Sequence, residues 1–183
     1  MPTKRYDVAL AKIDDYIYSI STENEVYNPK TDTWKALAPM EGGMAHLETV
    51  VYDDKIYVFG SSEGEYNKTM MYDPKTNKWT EKSKIPTPRL AANVAIIEDK
   101  IYVIGGIGFN EKGQLAKFLQ IIEVYNPLTD KWETKKSMPE PIWGAEGVIV
   151  INIFIITHID IIFSVFTANH IYFIIVGYGF NFR

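Results

Sequence analysis

The sequence predicts an all-β protein built from repeated four-stranded antiparallel sheets. Three observations support this prediction. A nine-residue motif occurs three times, a strand–turn–strand pattern precedes each copy, and 14 % of the 183 residues are aromatic. Aromatic side chains are enriched in β-strands. The copies are 45 and 53 residues apart, counted from Tyr27 to Tyr72 and from Tyr72 to Tyr125. The chain is therefore expected to repeat one sheet-forming unit along its length.

The recurring motif predicts the second half of each unit. It has the form Val/Met-Tyr-Asn/Asp-Pro-x-Thr-Asn/Asp-x-Trp, and its copies are VYNPKTDTW (26–34), MYDPKTNKW (71–79) and VYNPLTDKW (124–132). An Asn-Pro or Asp-Pro pair starts a tight turn. The residues before this turn are expected to form strand c, and the Trp after it is expected to open strand d.

The pattern before each motif predicts the first half of the unit, which we interpret as a β-hairpin. The three copies are AKIDDYIYSIS (11–21), VYDDKIYVFGS (51–61) and IIEDKIYVIGG (96–106). Apolar residues alternate up to an acidic pair and alternate again after it, as in two strands joined by a two-residue turn. These runs are strands a and b, so each unit is expected to contain strands a, b, c and d in antiparallel order.

A four-stranded unit of this length is typical of one propeller blade, and the residues resemble those of the Kelch family. Gly105-Gly106, Tyr125 and Trp132 match the family's glycine doublet and its Tyr and Trp positions, whereas the second repeat keeps only Gly60 and the first has none. The resemblance, shared with galactose oxidase-type propellers, implies an all-β Kelch-type β-propeller arc. It implies three complete blades at about 6–37, 45–82 and 92–136, with the start of a fourth before residue 150.

The repeated aromatic residues and glycines are expected to serve structure. The Tyr and Trp side chains have large apolar bodies and one polar tip, which suits packing between blades. The glycine-rich run 105–113 follows one strand and precedes another, whereas a dinucleotide-binding loop needs a helix N-terminus. We therefore do not interpret it as a phosphate site.

The pattern ends near residue 151, and the remaining 151–183 form an apolar tail. Residues 141–183 contain three charged side chains, and the other 39 lie in the first 140 positions. Three interpretations stay open: a transmembrane helix over Val148–Phe166, improvised strands, or a reading-frame error or truncation. Asp160 opposes the helix because a carboxylate is costly in a bilayer. Kelch propellers have six or seven blades, so the chain is expected to be incomplete.

Composition excludes several kinds of chemistry. There is no cysteine, so neither a thiolate nucleophile nor the Cys-linked Tyr of a galactose oxidase-type copper site can form. The acidic side chains repeat at turn positions, which favours turn formation over an acid/base pair. We expect no catalytic residues, cofactor or metal.

The net charge of −4 argues against nucleic acid as a partner, and a membrane association is not expected. The absence of a secretory signal favours a cytoplasmic location.

Variation between the repeats locates the expected binding face. The a–b and c–d turns are short and alike, whereas the b–c segments 22–26, 61–70 and 107–123 differ in length. Variable loops on a rigid scaffold are typical of a recognition surface. The candidate binding residues lie in the longest b–c segment and in the d–a linkers: Arg89, Phe109, Asn110, Lys112, Gln114 and Trp143.

These observations predict a non-catalytic Kelch-repeat scaffold that binds a protein or peptide through its b–c and d–a loops. Self-association that completes the propeller is a further expectation. The alternative is a fragment of a carbohydrate-active or isomerase-like Kelch propeller enzyme.

Overall fold

The structure is a computed structural model of the chain. It describes residues 3–4, 8–42, 45–62, 64–110, 113–141, 146–150, 153–157, 163–166 and 171–174. The regular elements in these ranges are all β-strands. No helix among the described residues is long and apolar enough to cross a membrane.

The first blade is an antiparallel sheet in the order β1-β2-β3-β4. Its strands are β1 (Ala9–Ile13), β2 (Tyr16–Ile20), β3 (Glu25–Asn28) and β4 (Thr33–Ala36). Tyr27 in β3 is directly opposite Trp34 in β4, so one motif supplies both sides of this pair.

The second blade repeats this order as β5-β6-β7-β8 with longer inner strands. Its strands are β5 (Ala45–Tyr52), β6 (Lys55–Ser62), β7 (Glu65–Asp73) and β8 (Lys78–Glu81). The Tyr–Trp pairing recurs at Tyr72 and Trp79.

The third blade contains β10 (Asn93–Ile97), β11 (Lys100–Ile104), β14 (Ile122–Asn126) and β15 (Lys131–Thr134), in that order. Tyr125 is opposite Trp132.

A small additional sheet has the order β13-β12-β9, made of β9 (Arg89–Leu90), β12 (Ile107–Phe109) and β13 (Leu115–Phe118). It joins the linker before the third blade to the b–c segment of the same blade.

A fourth sheet follows, in the order β16-β17-β18-β19. Its strands are β16 (Glu146–Val150), β17 (Ile153–Thr157), β18 (Phe163–Phe166) and β19 (Ile171–Ile174), paired antiparallel throughout. The described residues between Val148 and Phe166 are strands, so the helical alternative for this segment is wrong for them.

The blades form an arc whose inner side is lined by their first strands. Strand β1 contacts β5, β5 contacts β10, and β10 contacts β16. Each blade therefore adjoins its neighbour through strand a, as in a propeller with strand a nearest the axis. The predicted fold class, an all-β propeller arc of four-stranded antiparallel blades in the order a to d, is confirmed.

The acidic pairs form the a–b turns that the sequence predicts. Asp53 and Asp54 both have positive φ, as do Glu98 and Asp99, so each pair supplies the two central residues of a tight hairpin turn. The c–d turns are held by the Asx residue before proline, whose side chain accepts the backbone N–H two residues later. An example is Lys75 N to Asp73 Oδ1 at 2.8 Å.

The core lies between the sheets. Apolar residues of the first and second blades pack together in one cluster, and those of the second and third blades pack in another. Strand-c tyrosines span each interface, with Tyr72 6.3 Å from Tyr18 and Tyr125 6.0 Å from Tyr57 between ring centroids. Tyr72 and Tyr125 are fully buried, so the predicted packing role of these tyrosines between blades is confirmed.

Candidate partner-binding face

The two kinds of loop lie at opposite ends of the blades. Ion pairs join a–b turns to c–d turns, with Lys75 Nζ 3.0 Å from Asp54 Oδ2 in the second blade and Lys30 paired with Asp15 in the first. These short turns therefore share one end. The b–c segments and d–a linkers lie at the other end, which we call the loop face, as the sequence predicts for an antiparallel sheet.

The b–c segments are more ordered than the sequence analysis expects. In the second blade, β6 and β7 run on as a hairpin that includes Ser62 opposite Glu65, so the interpretation of 61–70 as a loop is wrong. In the third blade, 107–123 contains β12 and β13 and is not an irregular loop. Both segments interrupt the apolar alternation with polar residues, glycines and a register shift, and this hides the strands in the sequence.

Arg89 and Glu123 form a buried ion pair under the loop face. Residue Arg89 is 2 % exposed, and its Nη2 donates to Glu123 Oε2. Nη1 donates to the Gly105 carbonyl oxygen at 3.0 Å, and Nε donates to the Thr87 carbonyl oxygen at 3.1 Å. Burial lowers the pKa of the Arg89 guanidinium, and the Glu123 carboxylate acts in the opposite direction.

These contacts give Arg89 a positioning role in the structure. Its guanidinium ties the linker before the third blade to strand c and to the end of strand b. Its backbone is part of β9, which pairs with β12 so that Arg89 is opposite Gly108. Arg89 therefore holds the backbone under the loop face in place through its hydrogen bonds, and its charged group is buried.

Gly106 allows this close approach. Its φ is +94°, in the left-handed region, and an added Cβ would lie 2.7 Å from the Leu90 carbonyl oxygen. Any side chain here would push β9 away from the turn. The Gly-Gly doublet thus has a local structural cause.

An aromatic stack joins the b–c segments of two blades. The rings of Tyr66, at the start of β7, and Phe109, at the end of β12, are stacked with centroids 3.8 Å apart and planes 23° apart. Both residues are half-buried. The stack makes the loop face continuous across the second and third blades.

Asn110 and Gln114 close the β12–β13 hairpin. The Asn110 N–H donates to the Gln114 carbonyl oxygen at 2.9 Å, and the Gln114 N–H donates to Asn110 Oδ1 at 3.0 Å. Both side chains are exposed. Of the six predicted binding residues, the structure thus brings Phe109, Asn110 and Gln114 together on one hairpin above Arg89. Lys112 and Trp143 lie outside the described residues.

Strand β13 presents an exposed surface next to this hairpin. All four of its residues are exposed, including Leu115 at 57 % and Phe118 at 47 %. The sequence analysis misses these two residues and Tyr66. The apolar pair at 115 and 118 was a usable signal, whereas Tyr66 meets Phe109 only through a contact 43 positions apart along the chain.

The second blade's hairpin is also fixed to a linker. Asn67 Nδ2 donates to the Ile85 carbonyl oxygen at 3.1 Å, and the Ile85 N–H donates to the Asn67 carbonyl oxygen at 2.9 Å. Lys84 forms an ion pair with Glu65 at 2.9 Å. The loop face is therefore built on a braced backbone.

A small cavity lies beside Arg89 and is lined by residues of the second and third blades, among them His46, Glu48, Phe59 and Ala92. Its volume is about 10 Å³, room for about one water molecule. A small-molecule site usually measures hundreds of Å³. Among the described residues no group of three or more His, Asp or Glu side chains is placed to hold a metal ion.

Comparison with known proteins agrees with this architecture. The Kelch motif model matches residues 44–84 and 88–139, just over half of the chain. A human protein named Kelch repeat and BTB domain-containing protein 12 is 30 % identical over 138 residues, covering 68 % of this chain and 22 % of its own length. The chain thus spans about a fifth of that relative.

A solved structure, that of YjhT, has the same fold. It superposes with a TM-score of 0.79 at 19 % identity, covering 94 % of this chain and 64 % of that one. The Tyr-to-Trp motif, the four-stranded blades and the matched segments lead to one conclusion: the chain belongs to the Kelch-repeat family of β-propellers.

Proposed function

We propose that this Kelch-repeat chain is a non-catalytic scaffold that binds a protein or peptide partner on its loop face. The observation that carries the proposal is the Tyr66–Phe109 stack, which joins the b–c segments of two blades into one surface. Aromatic residues at the centre of a surface and polar residues around it are typical of protein interfaces.

The residues around the stack support a protein partner. Leu115 and Phe118 expose apolar surface, and Asn110 and Gln114 expose hydrogen-bonding groups beside them. The hairpin that carries them is braced by β9 and the buried Arg89–Glu123 pair. A braced surface loses little conformational entropy when a partner binds.

The non-catalytic part of the proposal rests on the surroundings of the titratable groups. Asp53 and Glu65 each pair with a lysine, which lowers the pKa of both carboxyl groups. A general acid needs a raised carboxyl pKa, so these side chains are poorly suited to that role at neutral pH. The partner is proposed to be neither nucleic acid nor a membrane, in line with the net charge of −4.

Point variants at the two ends of the blades test the face assignment. Tyr66→Ala and Phe109→Ala alter the loop face, and Asp53→Lys with Asp54→Lys alters the opposite end. Partners captured by the wild-type chain would be purified and their binding measured directly against each variant by calorimetry. Binding should fall at least tenfold in the loop-face variants, because interface aromatic residues often contribute more than 1–2 kcal/mol each.

Loss of binding only in the Asp53/Asp54 variant would contradict the face assignment. Circular dichroism of each variant checks that the fold is kept. Turnover of a small substrate by the purified wild-type chain, abolished by one carboxylate substitution, would contradict the non-catalytic role and favour the enzyme alternative.

A further inference from the structure

The small sheet of the third blade has an open edge at β13. Its order is β13-β12-β9, so among the described strands β13 pairs with β12 alone. All four residues of β13 are exposed. The edge of a sheet carries backbone N–H and C=O groups that can pair with another extended chain.

The register of the β12–β13 hairpin shows that Leu115 presents its backbone at this edge. Leu115 is directly opposite Phe109, and the hydrogen bond beside this pair runs from the Asn110 N–H to the Gln114 carbonyl oxygen. In an antiparallel ladder, such a bond between flanking residues marks a non-hydrogen-bonded pair, whose own N–H and C=O groups point away from the partner strand. The N–H and C=O of Leu115 therefore point away from β12, towards the open edge.

The chain itself binds an extended segment just beyond β13. In the third blade, the Met138 N–H of the following linker donates to the Gln120 carbonyl oxygen at 2.8 Å. The second blade has the same contact, from the Ile85 N–H to the Asn67 carbonyl oxygen at 2.9 Å. Gln120 lies two residues after β13, and among the described residues no backbone bond joins the linker to Leu115. The linker thus leaves the Leu115 end of the edge open.

Lys117 places a positive charge on the same strand. Its side chain is exposed and forms no ion pair in the described part of the chain, whereas Lys84 on the loop face is paired with Glu65 at 2.9 Å. Opposite charges on adjacent strands stabilise a strand pair, and like charges destabilise it. A second copy of β13 would add a second Lys117 to the edge, so an acidic strand fits this edge better than a second copy does.

We propose that β13 binds a short extended peptide of a protein partner as an added strand, with an acidic residue beside Lys117 and an apolar residue beside Leu115. Backbone hydrogen bonds to Leu115 hold the peptide, and the two side chains select it. This inference rests on the proposed function, because β12 places Phe109 of the aromatic stack directly opposite Leu115. It specifies how the loop face recognises its partner.

The probe is a fluorescently labelled, end-capped peptide of sequence Gly-Val-Glu-Val-Glu-Val-Gly, titrated with the full chain at low salt. We expect saturable binding. Lys117→Glu should weaken binding about fivefold, because an attraction is replaced by a repulsion. The same variant should bind a peptide with lysine in place of both glutamates more tightly than the wild type does.

Lys131→Glu provides the matched control for charge. Lys131 is an exposed residue in β15, next to the c–d turn at the opposite end of the blade. The substitution changes the net charge by the same amount as Lys117→Glu but leaves β13 unaltered. Affinity for the acidic peptide should stay within about twofold of wild type, because charges farther apart than a Debye length are largely screened.

Backbone pairing is tested separately from charge. A peptide N-methylated at every valine and glutamate keeps its side chains but donates no backbone hydrogen bond from them, so it should bind at least about tenfold more weakly. Hydrogen exchange gives a local measurement. Saturating peptide should slow exchange of the Leu115 N–H more than that of the Leu119 N–H, which already donates to the Gly106 carbonyl oxygen.

Four results would overturn the inference. They are no saturable binding up to roughly 1 mM peptide, equal affinity in Lys117→Glu, equal affinity of the N-methylated peptide, and concentration-dependent self-association that Lys117→Glu abolishes. The last would assign the edge to a second copy of this chain. Circular dichroism of each variant checks that the fold is kept.

Purified partner separates failure of this inference from failure of the proposed function. If partner binding falls in Tyr66→Ala but is unchanged in Lys117→Glu, the loop face binds the partner without β13, and only the inference is wrong. If partner binding is unchanged in Tyr66→Ala, Phe109→Ala and Lys117→Glu, the proposed function of the loop face is wrong as well.

Discussion

The buried Arg89–Glu123 pair occupies positions that the second repeat fills with methionine. Arg89 is 13 positions before Tyr102, and Met44 is 13 before Tyr57; Glu123 and Met70 each precede the motif Tyr by two positions. Replacing a buried ion pair with apolar side chains of similar volume is often neutral or stabilising, whereas removing one partner leaves a buried charge. The third repeat thus carries an ion pair at positions where the second repeat carries two apolar residues.

Arg89→Met alone should lower the free energy of unfolding by about 3–5 kcal/mol, because Glu123 would stay buried without its cation. The double variant Arg89→Met, Glu123→Met should recover most of this loss. Urea denaturation of the two variants and the wild type measures the difference. A double variant as unstable as the single one would show that the hydrogen bonds of Arg89 to Thr87 and Gly105, and not the pairing of charges, dominate.

The carboxyl group of Asp130 makes the free energy of unfolding depend on pH. Burial alone would raise the pKa of its carboxyl group, but hydrogen bonds from Tyr125 and Ser83 outweigh burial and lower it. Because the pKa is lower in the folded state, the carboxylate makes its full contribution to the free energy of unfolding above the unfolded-state pKa, near 4. This contribution is lost as the pH falls through the folded-state pKa.

Asp130→Asn should therefore destabilise the chain most at neutral pH. Asn keeps the acceptor oxygen, as Asn77 shows in the second blade, but it loses the charge that strengthens these bonds. The difference in unfolding free energy between wild type and variant should shrink between about pH 5 and pH 2. Urea titrations across this range measure it, and a constant difference would exclude a contribution from the carboxylate charge.

At the scale of elements, the sequence predicts strands where the pattern is periodic and misses them where it is not. The acidic pairs and the Asn-Pro turns specify β1–β8, β10, β11, β14 and β15 because each turn has its own local chemistry. Strand β9 pairs with β12, which lies about 20 residues later in the chain, and the β12–β13 hairpin contains a glycine and a register shift. Such pairing depends on tertiary contacts, which cannot be predicted from the alternation of apolar residues along one strand.

Gly106→Ala should disrupt this small sheet. The substitution combines a φ of +94° with a Cβ 2.7 Å from the Leu90 carbonyl oxygen, so β9 must shift. We expect a loss of about 2–3 kcal/mol in unfolding free energy and weaker binding on the loop face. Gly113→Ala is the control, because its φ is +71° but nothing lies within 4 Å of an added Cβ. It should cost about 1 kcal/mol, and equal losses would show that backbone strain, not the contact with Leu90, is the cause.

The candidate site also contains residues that the sequence predicts and residues whose role depends on packing between blades. The sequence places Phe109, Asn110 and Gln114 on the loop face, because antiparallel topology and variable b–c segments are enough to locate it. The burial of Arg89 and the stack of Tyr66 on Phe109 arise from packing between blades. A repeat pattern locates a residue within its blade, but it does not specify which side chain of the next blade it meets.

For the whole molecule, stability comes from contacts between adjacent blades. One cluster joins the first and second blades, and a second cluster joins the second and third. In such arrays each unit contacts only its neighbours, so stability is approximately a sum of unit and interface contributions. The arc should therefore open locally at one interface while the other stays closed.

Two matched isoleucine substitutions test this expectation. Ile20 in β2 is fully buried in the first cluster, and Ile101 in β11 is fully buried in the second. Each Ile→Ala change should cost about 2–5 kcal/mol. In native-state hydrogen exchange, Ile20→Ala should speed exchange in β2 and leave β14 near the wild-type rate. Ile101→Ala should do the reverse. Faster exchange in β2 and β14 for both variants would mean that the blades unfold as one cooperative unit, because a global transition transmits any local loss of stability to every amide that exchanges through it.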